Sequence, residues 1–342
     1  MSNFSTRVSI IDKFTQHFKG QFSKKQFTAF SAILYAMVNE YKRVNLSSLA
    51  KAIDVNYERL QYFLSESKWN YEALNAQRIE LLKNQRTTGF SKEGVLIIDD
   101  TGVLKPYAQK TEGVAYQHCP VLGTEALCNV AVASCYSIND RYIPLEVKFY
   151  KTESEFILGK NDPDFKSKLE LAKELIEDAV NKKIPFSYVL FDAWYPASDV
   201  LTFIQERELK FISEVKSDRK VYFRNPEARK SYFMRQDELV KFIKKHLWHK
   251  VKSFTHRGEL LSVYAFSSRL KSTDFPVKVF VVFNNASGEV RTIISNDLGL
   301  SEKKAVLTYL ERWAIERIFR ELKDSFCFDH YQVRHQLKIM RY

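Results

Sequence analysis

The chain has 342 residues, 45% of them hydrophobic, a formal net charge of +12 and a pI near 9.3. This is enough for one large domain or two to three smaller ones with real cores, and the basic balance implies a polyanionic partner, nucleic acid before an anionic membrane surface. No window approaches about 18 uninterrupted apolar residues, and the N-terminus MSNFSTRVSIIDKF lacks an apolar h-region, so neither a membrane span nor a signal peptide is predicted. Cys119, Cys128, Cys135 and Cys327 form no CxxC pair and have no His at ligand spacing, which argues against a zinc site or a disulfide framework and for reduced thiols in the cytosol.

Residues 1–88 read as a helical domain. Gly20 is the only glycine before Gly89, and apolar residues recur at three and four. Within it, NLSSLAKAIDVNYERLQYFLSES (45–67) stands out. Ser47 or Ser48 caps a helix through Ile53, Asp54-Val55 turns, and Asn56 caps a second helix carrying Tyr57, Arg59 and Gln61 outward. That is the spacing of a helix-turn-helix, and equally of a helical hairpin in a bundle.

From Gly94 the texture changes. GVLIIDDT is a two-sided apolar run ending in two acids, as in a buried strand that opens at a site. NVAVASCYSIND (129–140) and RYIPLEVKFY (141–150) form a hairpin-like pair around Asn139-Asp140. An amphipathic helix is predicted over 164–181. FSYVLFDAWY (186–195) then repeats the strand-to-acid theme at Asp192, followed by a helix over 197–207 and a strand over 210–215. Residues 218–297 carry short β-like runs, such as LLSVYAF and VKVFVVF, and read as a strand-rich insertion. The positive charge is concentrated here: residues 210–257 hold 14 Lys and Arg against 5 Asp and Glu.

Ser301 caps a last long helix, with Glu302 placed for its dipole. Along YLERWAIERIFRELK (309–323), about 100° per residue puts Tyr309, Arg312, Glu316 and Lys323 on one narrow stripe. Leu307, Leu310, Ala314, Ile318 and Leu322 fall opposite, with Glu311 interrupting them. A carboxylate among two cations and a phenol is either a solvated, salt-bridged stripe or a site.

Three acids therefore occupy comparable places: Asp99 or Asp100 at one strand end, Asp192 at another, and Glu316 on the late helix. Hard divalent cations take carboxylate oxygen. Two ions held by such acids activate an attacking oxygen and stabilise the leaving one in phosphoryl transfer. Adjacent strand residues face opposite ways, so Asp99 and Asp100 do not both face one site, and the two-sided apolar run does not choose between them.

These residues resemble the DDE transposases of bacterial insertion sequences, in the branch with a YREK signature and a β-rich insertion in an RNase H-like core. Tyr309, Arg312, Glu316 and Lys323 match every interval of that signature, Y-(2)-R-(3)-E-(6)-K. IIDDTG (97–102) resembles the block around the family's first acid and VLFDAWYPASDVLTFI (189–204) that around the second; GVAYQH (113–118) and DHYQVR (329–334) are similar too. The resemblance implies Asp100, immediately before Thr101, as first acid. It further implies that Asp100, Asp192 and Glu316 are catalytic and hold two Mg²⁺ or Mn²⁺ ions, and that Tyr309, Arg312 and Lys323 contact DNA phosphates.

The expectation is thus a mixed α/β protein. An N-terminal all-helical DNA-binding domain (1–88) precedes an RNase H-like core (89–217 and 298–342) interrupted by a β-rich basic insertion (218–297). The expected function is metal-dependent cleavage at transposon ends and strand transfer on double-stranded DNA, at terminal inverted repeats and target, by a homodimer in a cytoplasmic, nucleoid-associated setting. The alternatives are a catalytically silent DNA-binding derivative and a hydrolytic nuclease on the same core. Relatives continue into further helices past the point corresponding to Tyr342, so a C-terminal truncation is also expected.

Overall fold

The computed structural model describes residues 10–39, 45–85, 89–225 and 231–341; the remainder of the expected domains, including residues 1–9 and Tyr342, lies outside the described residues. After a helical stretch over residues 10–16 come α1 (Lys24–Asn39), α2 (Leu46–Ala52), α3 (Tyr57–Ser65) and α4 (Tyr71–Lys83). Phe18, Phe30, Ile33, Leu49, Leu60 and Phe63 form their shared core. Asn45, not Ser47 or Ser48, caps α2: its side chain accepts from the Ser48 N–H at 2.9 Å, and the Ser48 hydroxyl accepts from the Asn45 N–H at 3.2 Å. The helix begins one turn earlier than the serines imply, which puts Ser48 at the third helical position of a capping box. Between α2 and α3, Asp54 takes the left-handed conformation (φ 51°) that a glycine would otherwise supply. Asn56 caps α3, and Tyr57, Arg59, Gln61 and Tyr62 are exposed.

A large mixed sheet follows. Its first strands are β1 (Val95–Leu104), β2 (Ala115–Cys119), β3 (Thr124–Ile138) and β4 (Arg141–Tyr150). Next come α5 (Lys168–Asn181), capped by Ser167, then β5 (Tyr188–Phe191), α6 (Ser198–Glu206) and β6 (Phe211–Glu214). β3 pairs antiparallel with β1, β2 and β4, whereas β1, β5 and β6 run parallel, joined through α5 and α6. Asn139 and Asp140, both with positive φ, close the β3–β4 hairpin. The order β4-β3-β1-β5-β6, three antiparallel strands followed by two parallel ones, is an RNase H-like core.

The segment after β6 is built onto this sheet. β7 (Lys220–Arg224) and β8 (Ser231–Arg235) form a separate two-stranded ribbon before α7 (Gln236–Phe242). β9 (Lys252–His256), β10 (Glu259–Arg269), β11 (Pro276–Asn284) and β12 (Val290–Ser295) then extend the core sheet, with β12 antiparallel to β6. The chain ends in α8 (Glu302–Leu310), α9 (Trp313–Phe326) and α10 (Gln336–Arg341).

The two-sided apolar run predicted for β1 buries both faces. Leu96 and Ile98 pack with α5 and α6 through Leu175, Ile176 and Leu201; Val95 and Ile97 pack with α8 and α9 through Val306, Ile315 and Ile318. Strands β10 to β12 contribute to both layers, so one sheet carries two continuous cores. The helical bundle is tied on by Asn75, which donates to the Leu145 carbonyl at 2.8 Å, and by Arg341, which donates to the Ser67 and Trp69 carbonyls. No helix among the described residues is long and apolar enough to cross a membrane, and all four cysteines are free and buried.

Gly94, at the entry to β1, lies against the ring of Tyr136, whose hydroxyl donates to the Ser91 carbonyl at 2.7 Å and accepts from the Ser91 N–H at 2.8 Å. A Cβ at Gly94 would collide with that ring, which is held at its far end and has nowhere to go. Gly94→Ala is expected to cost about 1–3 kcal/mol, the usual size of an overpacking defect, read as a lower denaturation midpoint. Tyr136→Phe is expected to cost about 1 kcal/mol through its lost hydrogen bonds. A Gly94→Ala chain as stable as the parent would refute the close-approach argument.

Candidate active site

Strand alternation sorts the two acids of β1. Asp99 continues the Val95–Ile97 face, under α8 and α9; Asp100 continues the Leu96–Ile98 face, under α5. Asp99 Oδ2 accepts from Arg312 Nη1 at 2.9 Å, while Arg312 Nη2 donates to Glu316 Oε1 at 2.9 Å. One guanidinium therefore joins the first strand to the last long helix. The other Asp99 oxygen accepts from the Asp100 N–H at 2.9 Å. Asp100 turns the other way and pairs with Lys168 Nζ at 2.6 Å, at the first turn of α5. It is Asp99, rather than Asp100, that the structure brings to Arg312 and Glu316.

Asp192 follows the last residue of β5. The parallel register sets Ile97 beside Leu190, and two residues on along both strands stand Asp99 and Asp192. Asp192 Oδ1 accepts from the Trp194 N–H at 2.9 Å. Burial, then the neighbouring charge of Asp192, pushes Asp99 up to about 7 against the pull of Arg312. Burial also raises Asp192, with Asp100 adding to the rise and Arg312 opposing it. These carboxylates repel one another in a poorly solvated place, and cations hold them there.

The single polar stripe expected over 309–323 is interrupted. The helix breaks at Glu311 and Arg312, and both residues of the joint are anchored to the sheet: Glu311 accepts from Ser137 at 2.8 Å, and Arg312 reaches Asp99. Tyr309 lies before the break, only 2% exposed, and its hydroxyl donates to Glu214 Oε2 on β6 at 3.0 Å. Arg312 is 7% exposed. Lys323, two turns beyond Glu316, donates to Thr101 Oγ1 at 2.7 Å and to the Gly102 carbonyl at 2.9 Å. The four residues thus fan out along the sheet edge from β6 to the far end of β1. The segment 329–334 is held beside the start of 113–118 rather than by it: the Glu112 N–H donates to the Arg334 carbonyl at 2.8 Å, and the Tyr331 hydroxyl donates to Asn129 at 2.6 Å.

Residues 14–237 match the family described as DDE superfamily endonuclease, and residues 152–341 match the transposase DDE domain. The chain belongs to the DDE superfamily. A probable transposase for insertion sequence element IS701, from Microchaete diplosiphon, is 29% identical over 215 residues, covering 62% of this chain and 55% of that protein. The chain thus spans about half the length of that relative.

Within this DDE chain the donor set suits a hard divalent cation: carboxylate oxygens that burial and mutual repulsion push toward protonation. Arg312 joins Asp99 to Glu316, and Asp192 stands beside them within the field of the same guanidinium. Among the described residues no three Asp, Glu, His or Cys side chains converge closely enough to hold an ion between them. Sequence reasoning missed two partners. Lys168 carried no signal beyond its place after the Ser167 cap, and Glu214 was read only as the end of a strand.

Arg312→Met leaves Asp99 and Glu316 without their shared cation. It is expected to destabilise the fold by roughly 3–5 kcal/mol, as when one partner of a buried ion pair is removed. Adding Asp99→Asn should recover part of that loss, because the uncompensated charge goes with it. Strictly additive losses in chemical denaturation would show that the two residues are not coupled.

Proposed function

We propose that this chain is a DNA transposase that cleaves double-stranded DNA at the terminal inverted repeats of its element and transfers the freed end to a target. The observation that carries the reading is the clustering of Asp99, Asp192 and Glu316 about Arg312, where β1 and β5 end side by side. Ligands of open α/β sheets bind at such carboxyl ends. In this proposal Asp192 and Glu316, with one aspartate of β1, would hold divalent cations, Mg²⁺ or Mn²⁺ and two in number, which would draw together carboxylates that stand apart here. Strand parity favours Asp99 as that aspartate; the family resemblance favours Asp100. Bound divalent cations would supply activation of the attacking oxygen and stabilisation of the leaving oxygen.

The chain's own residues do the positioning. Arg312, always charged and forked, holds the carboxylates of Asp99 and Glu316 in place. Lys323, at the edge of the cluster, offers an ammonium to a DNA phosphate, and Arg312 offers a second when it exchanges a carboxylate for a phosphate. Tyr309 acts from behind, fixing α8 to Glu214, and its hydroxyl reaches DNA only if that bond opens. The exposed face of α3 and the lysines at 244, 245, 250 and 252 would bind the inverted repeats. A homodimer would pair two ends, in the cytoplasm at the nucleoid.

The test uses DNA that carries the genomic flanks of the gene, with Mg²⁺ or Mn²⁺ supplied. Asp192→Asn and Glu316→Gln are expected to abolish nicking while end binding stays within about twofold, since phosphate contacts supply most of the affinity. Asp99→Asn should abolish nicking and Asp100→Asn should leave it measurable; the reverse result would assign the first acid to Asp100. Unchanged nicking by Glu316→Gln would overturn the proposal.

A further inference from the structure

Tyr195, in the turn after Asp192, is fully buried, and its hydroxyl has no hydrogen-bond partner among the described residues. The buried hydroxyls of Tyr136, Tyr188, Tyr309 and Tyr331 each donate to one. An unpaired hydroxyl in an apolar place costs free energy that a phenylalanine would not, so its presence calls for a use. Tyr195 lies in the same apolar layer as Ile98, Leu175 and Leu201, on the side of the sheet to which Asp100 turns. Burial pushes its hydroxyl well above the usual phenol range, and Asp100, then Asp99 and Asp192, add to the rise. Of these three acids, Asp99 accepts from Arg312 and from the Asp100 N–H, and Asp192 from the Trp194 N–H. The Asp100 carboxylate rests instead on the Lys168 ammonium, at 2.6 Å.

That ammonium stands at the rim of the site, 5.3 Å from the centroid of Trp194, which is 44% exposed. Only 15% of the Asp100 side chain is exposed. A DNA phosphate competes for such an ammonium, and an Asp100 that lost it would be a largely buried carboxylate without its cation, a costly state. A phenol O–H is a donor that such a carboxylate accepts. We propose that Tyr195 is a positioning residue whose hydroxyl is held in reserve for Asp100: when Lys168 exchanges the carboxylate for a DNA phosphate, Asp100 accepts a hydrogen bond from Tyr195 instead. Only hydrogen bonds change partner, and each group keeps its proton. The exchange with phosphate rests on the reading of this site as a centre of phosphoryl transfer on DNA. The bond from Tyr195 to an Asp100 deprived of Lys168 does not.

The two parts are tested separately on the full chain, in EDTA. In thermal melts without DNA, Tyr195→Phe is expected to raise the midpoint by about 2 °C, as the release of one unpaired buried hydroxyl would; Tyr136→Phe, whose hydroxyl is bonded, lowers it. In a Lys168→Met background, where Asp100 has lost its ammonium, the sign reverses, and adding Tyr195→Phe lowers the midpoint by about 2 °C or more. The second part needs no variant of Lys168. By fluorescence anisotropy on duplex DNA carrying the genomic flanks of the gene, Tyr195→Phe is expected to bind roughly tenfold more weakly than the parent, the worth of one hydrogen bond to a charged group, although the residue is buried and melts higher. A Tyr195→Phe chain that melts below the parent would show the hydroxyl already bonded and overturn the reserve. So would the same sign in both backgrounds. The expected reversal with duplex affinity unchanged would overturn the exchange with phosphate. Metal-dependent nicking that survives Asp192→Asn, together with the reversal, would sink the acid assignment and leave Tyr195 as the donor to Asp100.

Discussion

The guanidinium of Arg312 holds this structure to its purpose. It stands in a break between two helices and takes Asp99 on one side and Glu316 on the other, both at 2.9 Å. Asp99 and Arg312 are 213 residues apart in sequence, so the contact fixes how the last helices lie on the first strand. Without a cation there, burial and the charge of Asp192 would drive Asp99 toward its neutral form. Arginine suits the place because its charge persists at any ordinary pH and its planar fork meets two carboxylates at once. The neighbouring Glu311–Ser137 bond pins the same joint to β3.

The sheet decides where the acids can be. Parallel β1 and β5 sit side by side with their carboxyl ends together, and that adjacency sets Asp99 near Asp192 across almost a hundred residues. Helices α5 and α6 lie in the crossovers that parallel strands require. They also bury Leu96, Ile98, Val189 and Phe191 against Leu175 and Leu201. The segment 218–297 adds four strands beyond β6 without opening a gap in either apolar layer. The platform beneath the acids is therefore wider than the core strands alone would give.

Much of this was legible in the sequence. The runs ending at Asp99-Asp100 and at Asp192 announced buried strands because four or more consecutive apolar residues satisfy both faces of a covered sheet. The Asn139-Asp140 pair announced its hairpin because those residues tolerate positive φ. What stayed hidden depended on tertiary contact. A two-sided strand carries no parity mark, so the facing of Asp99 and Asp100 became visible only through Arg312 and Lys168. The periodicity of 309–323 carries one flaw, Glu311 on the apolar side, but a single misplaced acid does not announce a break; the break at Glu311 and Arg312 is anchored by the distant Ser137 and Asp99. The strand signals within 218–297 were clear, but their continuation of the core sheet is a long-range pairing between β12 and β6 that composition does not encode.

Why, then, does β1 end in two acids rather than one? Alternation gives each face of the sheet its own carboxylate, and each is met by a cation from a different layer: Arg312 from the α8–α9 joint, Lys168 from the first turn of α5. Lys323 then grips the backbone and Thr101 just beyond. The end of β1 is thereby clamped from both sides by three cationic side chains, two of them neutralised by the acids they hold. A polyanion arriving at this edge meets ammonium and guanidinium groups whose present partners are carboxylates, and phosphate oxygens compete for the same donors on equal chemical terms. Under the proposed function, the salt bridges that stabilise this edge are the bonds that DNA would exchange, so the placing of the two acids would bear on binding as well as on folding.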